Sequence, residues 1–154
     1  MHQITVRDLA RADLPSVAAV LDGTGLFPSS MLEPMAEPYL SGHAPHHWLV
    51  ACEAERALGF AYAEPERMTD GTFNLLAIAV APDAQRRGVG GALVAALVER
   101  LKASSGRVLL VETSSLDEYA GTRRFYAGLG FDQEARIRDF YTEGEDKVVF
   151  RKRV

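Results

Sequence analysis

Residues 72–102 read TFNLLAIAVAPDAQRRGVGGALVAALVERLK, and how this stretch is parsed decides the fold. Thr72 to Val80 is a nearly continuous apolar run, which predicts a strand buried on both faces. From Val89 to Lys102, Val89, Leu93, Leu97 and Leu101 recur every four residues with Val94 and Val98 beside them, the pattern of an amphipathic helix that ends at Ser104-Ser105-Gly106. Between the two lies QRRGVGGAL, Gln85 to Leu93, where three glycines strip the backbone of side chains and two arginines supply charge.

Three phosphate-binding loops compete for that bare backbone. A Walker A loop fails because no Lys-Ser or Lys-Thr follows the glycines. A dinucleotide fingerprint fits poorly, since Leu93 stands where its third glycine belongs and APDAQRR separates the glycines from the strand. The third pattern, Q/R-x-x-G-x-G/A, is met by Gln85, Gly88 and Gly90. Without side chains at Gly88, Gly90 and Gly91, a pyrophosphate can approach first-turn N–H groups that have no acceptor within the helix and lie at the positive end of its dipole. Arg86 and Arg87 can add charge-assisted contacts. The competing explanation is structural: glycines that let a helix pack closely on a sheet, with arginines facing solvent.

Outward from this core, Ile4 to Val6 alternates as a short strand, and Leu14, Val17, Val20 and Leu21 have helical spacing. Asp22 to Pro45 is the least regular part, a plausible lid enclosing a shorter helical segment, Met31 to Leu40, broken by Pro34 and Pro38. His47 to Cys52 and Leu58 to Ala63 read as a hairpin, Val108 to Thr113 as a buried strand and Glu118 to Leu129 as a helix stopped by Gly130. The tail reads as a hairpin, Ala135 to Tyr141 and Lys147 to Lys152, around TEGED. The order is βααβββαβαββ without internal repeats: one α/β or α+β domain over residues 1–154, with helices packed on a sheet of mixed direction.

Composition narrows the function. With 47% hydrophobic and 25% charged residues the chain reads as soluble and globular. A net charge of −4 leaves no basic footprint for nucleic acid and favours a small phosphorylated ligand held by a few arginines. No apolar run suits a membrane span, the start MHQITVRDLARADL lacks a signal's apolar region, and Cys52 is the only cysteine, so the expected compartment is the cytoplasm.

The strand LLAIAV, the segment PDAQRRGVG and the amphipathic helix after it resemble the GNAT superfamily of N-acetyltransferases. The resemblance is strong from Thr72 to Lys152 and weak before Glu66. It implies a central mixed, mostly antiparallel sheet of about six or seven strands with about four helices. It also implies acetyl-CoA as cosubstrate, with no metal. Gln85, Arg86, Arg87, Gly88, Val89, Gly90 and Gly91 would cradle the pyrophosphate. Ala77, Ile78, Ala79 and Val80 would offer backbone hydrogen bonds to the pantetheine arm. TRRFYAGLGF, Thr122 to Phe131, is similar to the family's late helix, with Tyr126 matching the tyrosine that protonates the departing thiolate. A thiol of pKa about 8.5 and a phenol of about 10 make that transfer uphill by ~1.5 units, about 2 kcal/mol. Thr122 and Tyr119 complete the coenzyme wall, although Tyr119, after the longer loop SSLDE, stands where many relatives carry asparagine. VETSS, TRRFY and RDFY-x-x-G-x-DKVVF further resemble a bacterial subgroup of the superfamily.

Direct attack on a thioester needs a neutral amine, and an amine of pKa about 10.4 is less than about one part in a thousand neutral at pH 7. Glu112 is the first candidate base, expected to be desolvated in the apolar strand VLLVETS. Glu64, Glu33, Asp139, His43, His46 and His47 come after it. Arg123 and Arg124 could reach a phosphate or face solvent, and Cys52 reads as core. The acceptor pocket should form from the early helices and the tail hairpin, with Phe140 and Tyr141 at its wall. An amino acid, a polyamine, an antibiotic and a protein N-terminus or lysine all fit the residues as read. The expected activity is direct acetyl transfer to a primary amine in a ternary complex, by a monomer or homodimer. The alternatives are an acyl-CoA-binding sensor without catalysis and a domain using the loop for ATP or NAD.

Overall fold

The computed structural model describes residues 3–154. Met1 and His2, the start of the expected domain, lie outside the described residues. Seven strands and four helices follow in the expected order: β1 (Ile4–Asp8), α1 (Leu14–Thr24), α2 (Leu32–Leu40), β2 (His47–Glu53), β3 (Arg56–Pro65), β4 (Thr72–Val80), α3 (Val89–Ala103), β5 (Val108–Ser114), α4 (Ala120–Gly128), β6 (Asp132–Thr142) and β7 (Glu145–Arg153). One sheet takes all seven strands in the order β1-β2-β3-β4-β5-β7-β6. Every neighbouring pair is antiparallel except β4 with β5. Parallel neighbours need a crossover, and α3 provides it.

The two faces of the sheet are covered by different helices. A Cβ at Gly59 would lie 3.3 Å from the side chain of Leu93 on α3, whereas the ring of the next residue, Phe60, meets Phe27, just beyond α1, edge-on at 6.3 Å. Successive strand residues point to opposite faces, so α3 covers one face and α1 the other. The predicted stripe is the buried one: Val89, Leu93, Val94, Leu97, Val98 and Leu101 all face the sheet. Each such side chain is worth about 1.5–3 kcal/mol when buried, which fixes the helix, and the glycine loop before it, on a rigid base. On the α1 face, Trp48 stacks on Tyr62 at 4.1 Å and on Phe60 at 6.0 Å.

The feature that makes a site is a wedge in the middle of the sheet. Tyr62 pairs with Ala77 and Ala63 with Leu75, so Leu76 bulges out of register. Strand β4 pairs with β5 only from Thr72–Val108 to Leu75–Val111. Beyond that point β4 continues against β3 as far as Val80, and β5 continues against β7 as far as Ser114. The two central strands therefore diverge, leaving alternate backbone groups of β4 from Leu76 onward without a strand partner on the β5 side.

Several expectations are revised. Strand β4 is not buried throughout: Leu76 is 50% exposed because the bulge turns it out of the sheet. Pro34 and Pro38 do not break α2. Pro34 sits in the first turn, where its missing N–H would be unpaired anyway, and Pro38 lies inside a helix of only nine residues that ends two positions later. Helix α4 starts at Ala120, after a single 3-10 turn over Asp117–Tyr119. Strand β6 is longer than predicted and exposed along its whole length, as an outer strand with one free edge. None of the described helices is long and apolar enough to cross a membrane.

Candidate active site

The wedge opens into two adjoining clefts. The first, of about 640 Å³, runs from Ile78–Val80 across Gln85, Arg86 and Gly88–Gly91 to Gly121, Thr122, Phe125 and Tyr126. The second, of about 460 Å³, lies between Leu75–Ile78 of β4 and Val111–Ser114 of β5, with Leu26, Tyr119, Thr122, Tyr126, Tyr141 and Glu145 around it. Ile78, Thr122 and Tyr126 line both and so stand where the clefts meet.

The floor of the first cleft is the start of α3. Gly88 caps the helix with φ 80°, a left-handed conformation that glycine adopts without strain. Its carbonyl accepts the N–H of Ala92 at 3.0 Å, so the N–H groups of Val89, Gly90 and Gly91 precede the first intrahelical bond and are free to meet an anion. A Cβ on Gly90 would come within 3.1 Å of the Phe125 ring, a tight contact that glycine avoids as α4 approaches α3. Gly90 thus serves packing as well as leaving its N–H open, while a Cβ at Gly88 would meet nothing within 4 Å. The two arginines part ways as well. Arg86 lines the cleft, whereas Arg87 pairs with Glu53 and lines neither cleft. Gln85 donates to the carbonyl of Val80 at 3.3 Å and ties the loop to the end of β4.

Tyr126 is 3% exposed, with its ring packed against Phe125, Phe131 and Phe150. Burial pushes its phenol well above the ordinary range. At neutral pH it is a proton donor fixed at the junction of the two clefts.

Glu112 lines the second cleft, but its surroundings differ from the expected apolar pocket. Lys147 Nζ lies 3.1 Å from one carboxylate oxygen, and the amide of Asn74 donates to the other at 3.2 Å. The expectation of a bare desolvated carboxyl is therefore corrected. The parallel strand β4 and the antiparallel strand β7 flank β5 and deliver an amide and an ammonium to it. Asn74, itself buried, also donates to Glu66 at 2.9 Å, and Lys147 sits over the Phe140 ring at 4.1 Å.

The other candidates scatter. Glu64 accepts the Tyr62 hydroxyl and lies 3.5 Å from His46. Glu33 lines a separate surface hollow with Arg11 and Glu37. Asp139, at φ 53°, accepts the N–H of Gly144 and serves the β6–β7 turn. His43 is hydrogen-bonded to Ser41, and His47 is half-buried beside Phe73, where desolvation lowers its pKa. Arg123 holds the carbonyls of Ser114 and Leu116, Arg124 is exposed, and Cys52 is a buried free thiol, as its apolar neighbours suggested. Ala77 and Tyr119 line the second cleft only; of the two aromatic residues expected together, Tyr141 stands at its wall and Phe140 lines neither cleft. Among the described residues no group of three or more His, Cys, Asp and Glu is arranged to hold a metal ion.

Sequence reasoning missed Leu26, Leu76, Asn74, Ser114, Glu145 and Lys147. Only Asn74 carried a signal: an amide inside an otherwise apolar strand must find partners when buried. Leu76 reaches the site through the bulge, Ser114, Glu145 and Lys147 through pairing between distant strands, and Leu26 from the segment after α1.

The comparisons with known proteins agree with this geometry. A family model described as an acetyltransferase (GNAT) domain matches residues 44–133, more than half of the chain. A crystal structure from Desulfovibrio desulfuricans, described as an acetyltransferase of the GNAT family, is 34% identical, with a TM-score of 0.90 over 98% of this chain and 99% of that one. The ribosomal-protein-S18-alanine N-acetyltransferase of Escherichia coli superimposes at a TM-score of 0.77 with 22% identity, over 99% of this chain and 94% of that one. YncA of Salmonella typhimurium, solved with its cofactor acetyl-CoA, does so at 0.78 with 19% identity, over 97% and 93%. These last two likenesses speak to the fold alone. No curated protein sequence matches the chain significantly. From the family match, together with the 34% identical relative covered over nearly its whole length, the chain belongs to the GNAT family of acetyltransferases.

Proposed function

We propose that the protein transfers an acetyl group from acetyl-CoA to a primary amine by direct attack within a ternary complex. The observation that carries this reading is Tyr126, a buried, protonated phenol at the three-residue seam shared by the two clefts. The first cleft suits the coenzyme. Val89, Gly90 and Gly91 would hold the pyrophosphate through their N–H groups, with Arg86 adding charge. The β4 backbone from Leu76 to Val80, unpaired toward β5, would hold the amide-bearing arm. A fold relative with acetyl-CoA bound supports that choice of ligand. Acetyl-CoA supplies an activated acyl thioester.

The chain's residues then manage two protons. An amine entering the second cleft arrives charged and must become neutral. Glu112, held in place by Asn74 and Lys147, is the carboxylate lining that cleft from β5 and is assigned to accept the proton, directly or through water. Tyr126 is assigned to give its proton to the departing sulfur. Its raised pKa widens the gap to an ordinary thiol, but the same desolvation raises the pKa of a thiol formed beside it.

The test is thiol release from acetyl-CoA over a panel of primary amines. Tyr126→Phe should lower kcat by about 100-fold while the Kd for acetyl-CoA changes less than about threefold. Equal kcat in the two proteins would remove Tyr126 from the mechanism, and acetyl-CoA binding without thiol release from any amine would favour a sensor. Because the folded state favours the protonated phenol, the associated stability is whole below about pH 10 and declines above it. Tyr126 ionisation should therefore impose no alkaline loss of activity below about pH 10.

A further inference from the structure

The second cleft has a charge and a wall that narrow the acceptor. Both charged residues that line it, Glu112 and Glu145, are carboxylates. Neither nearby cation lines the cleft: Lys147 contacts Glu112 and the Phe140 ring, and Arg123 donates from one guanidinium nitrogen to the carbonyls of Ser114 and Leu116 at 2.6 and 2.9 Å. Glu145 has only a hydroxyl as its named partner, Ser114 Oγ at 2.6 Å. Glu112 and Glu145 bring two negative charges to the lining and Lys147 pairs with the first, which leaves Glu145 to meet an ammonium. Four large apolar or aromatic side chains left exposed, Leu26, Leu76, Tyr119 and Tyr141, all stand around this same cleft. Tyr141 lies in the carboxylates' field: burial first, then the charges of Glu112 and Glu145, raise its pKa.

We infer that the acceptor is a primary monoamine on an apolar body with no carboxylate beside the amine, and that free amino acids are rejected. This rests on the acetyl-transfer reading above. The ammonium is drawn to Glu112 and Glu145 while the apolar body covers Leu26, Leu76 and the two tyrosines. An α-carboxylate carried into the same cleft would face Glu145 with no cation in the cleft's lining to offset it, and like charges brought together across a binding site cost several kcal/mol. A linear diamine would bring a second positive charge and little apolar surface, matching neither feature.

The experiment compares phenethylamine, phenylalaninamide, a peptide amide beginning with phenylalanine, phenylalanine and a linear diamine with the full-length protein. It reads kcat/KM by thiol release at saturating acetyl-CoA. Phenethylamine and phenylalaninamide should exceed phenylalanine by roughly 10- to 100-fold. The peptide arm separates a free amine from a chain N-terminus as the natural source. Glu145→Gln should bring the phenylalaninamide-to-phenylalanine ratio several-fold closer to one, and Glu145→Lys should push it further toward phenylalanine. Phenylalanine used as well as its amide, a diamine preferred over phenethylamine, or a ratio unmoved in both variants would overturn the inference. If no compound releases thiol, the transfer reading fails, and the same ranking is read from Kd values measured by titration with CoA present. A ranking by Kd without discrimination against phenylalanine would overturn the inference on its own.

Discussion

The two clefts that meet at Tyr126 are built from different materials. The first is mostly backbone: the start of α3, freed of side chains at Gly88, Gly90 and Gly91, and the unpaired edge of β4. The second is lined by side chains gathered from β4, β5, β6, β7, α4 with the turn before it, and the segment after α1. Backbone donors need a contiguous run of the right residues, so a backbone-built cleft is tied to one short motif. A cleft of side chains can exchange each member separately, which suits the half of an enzyme that must distinguish acceptors.

Substitutions can break each half separately. The largest expected effect is on the side-chain half: Glu112→Gln should lower kcat by about 100-fold and leave acetyl-CoA affinity nearly unchanged, measured by thiol release and titration. An unchanged kcat would move the base elsewhere, with Glu64 the next carboxylate to test. On the backbone half, Gly91→Glu has room, since a Cβ there meets only Leu129 at 3.9 Å. It replaces a helical glycine and puts an acid in the first turn, so thermal stability should rise by roughly 0.5–1 kcal/mol. Acetyl-CoA affinity should nonetheless fall by about tenfold or more through repulsion of the phosphates. Both falling together would mean that the glycine serves packing. The smallest effect separates the two arginines. Arg86→Ala should weaken acetyl-CoA binding by about three- to tenfold, of the order of one charged hydrogen bond. Arg87→Ala, which removes the pair with Glu53, should change that affinity less than about twofold and stability by less than about 1 kcal/mol. Equal losses from the two would contradict the geometry of the loop.

The same division explains what the sequence disclosed. Element order and the α3 stripe were legible because burial imposes periods of 3.6 and 2 on local stretches, whereas the mostly antiparallel sheet followed from the family resemblance. The open helix start at QRRGVGGAL was legible because its backbone geometry is written in adjacent glycines. The roles within it were not: spacing alone does not tell that Arg87 turns to Glu53 while Arg86 lines the cleft. The wedge was also hidden, since it arises from a one-residue slip that leaves Leu76 unpaired, and nothing in LLAIAV marks where the slip falls. Glu112 lines the second cleft, but its partners were not read from the sequence. Asn74 and Lys147 reach it only because β4 and β7 flank β5, a pairing fixed by the whole sheet.

The central claim is that the bare backbone at the start of α3 holds acetyl-CoA. Isothermal titration of the protein with acetyl-CoA, beside CoA, ATP and NAD, tests it most directly. The account predicts saturable binding of acetyl-CoA and CoA with ATP and NAD weaker by at least about tenfold, since neither can fill the divergent strands with an amide-bearing arm. Binding of ATP or NAD alone would contradict it and return QRRGVGGAL to a nucleotide loop.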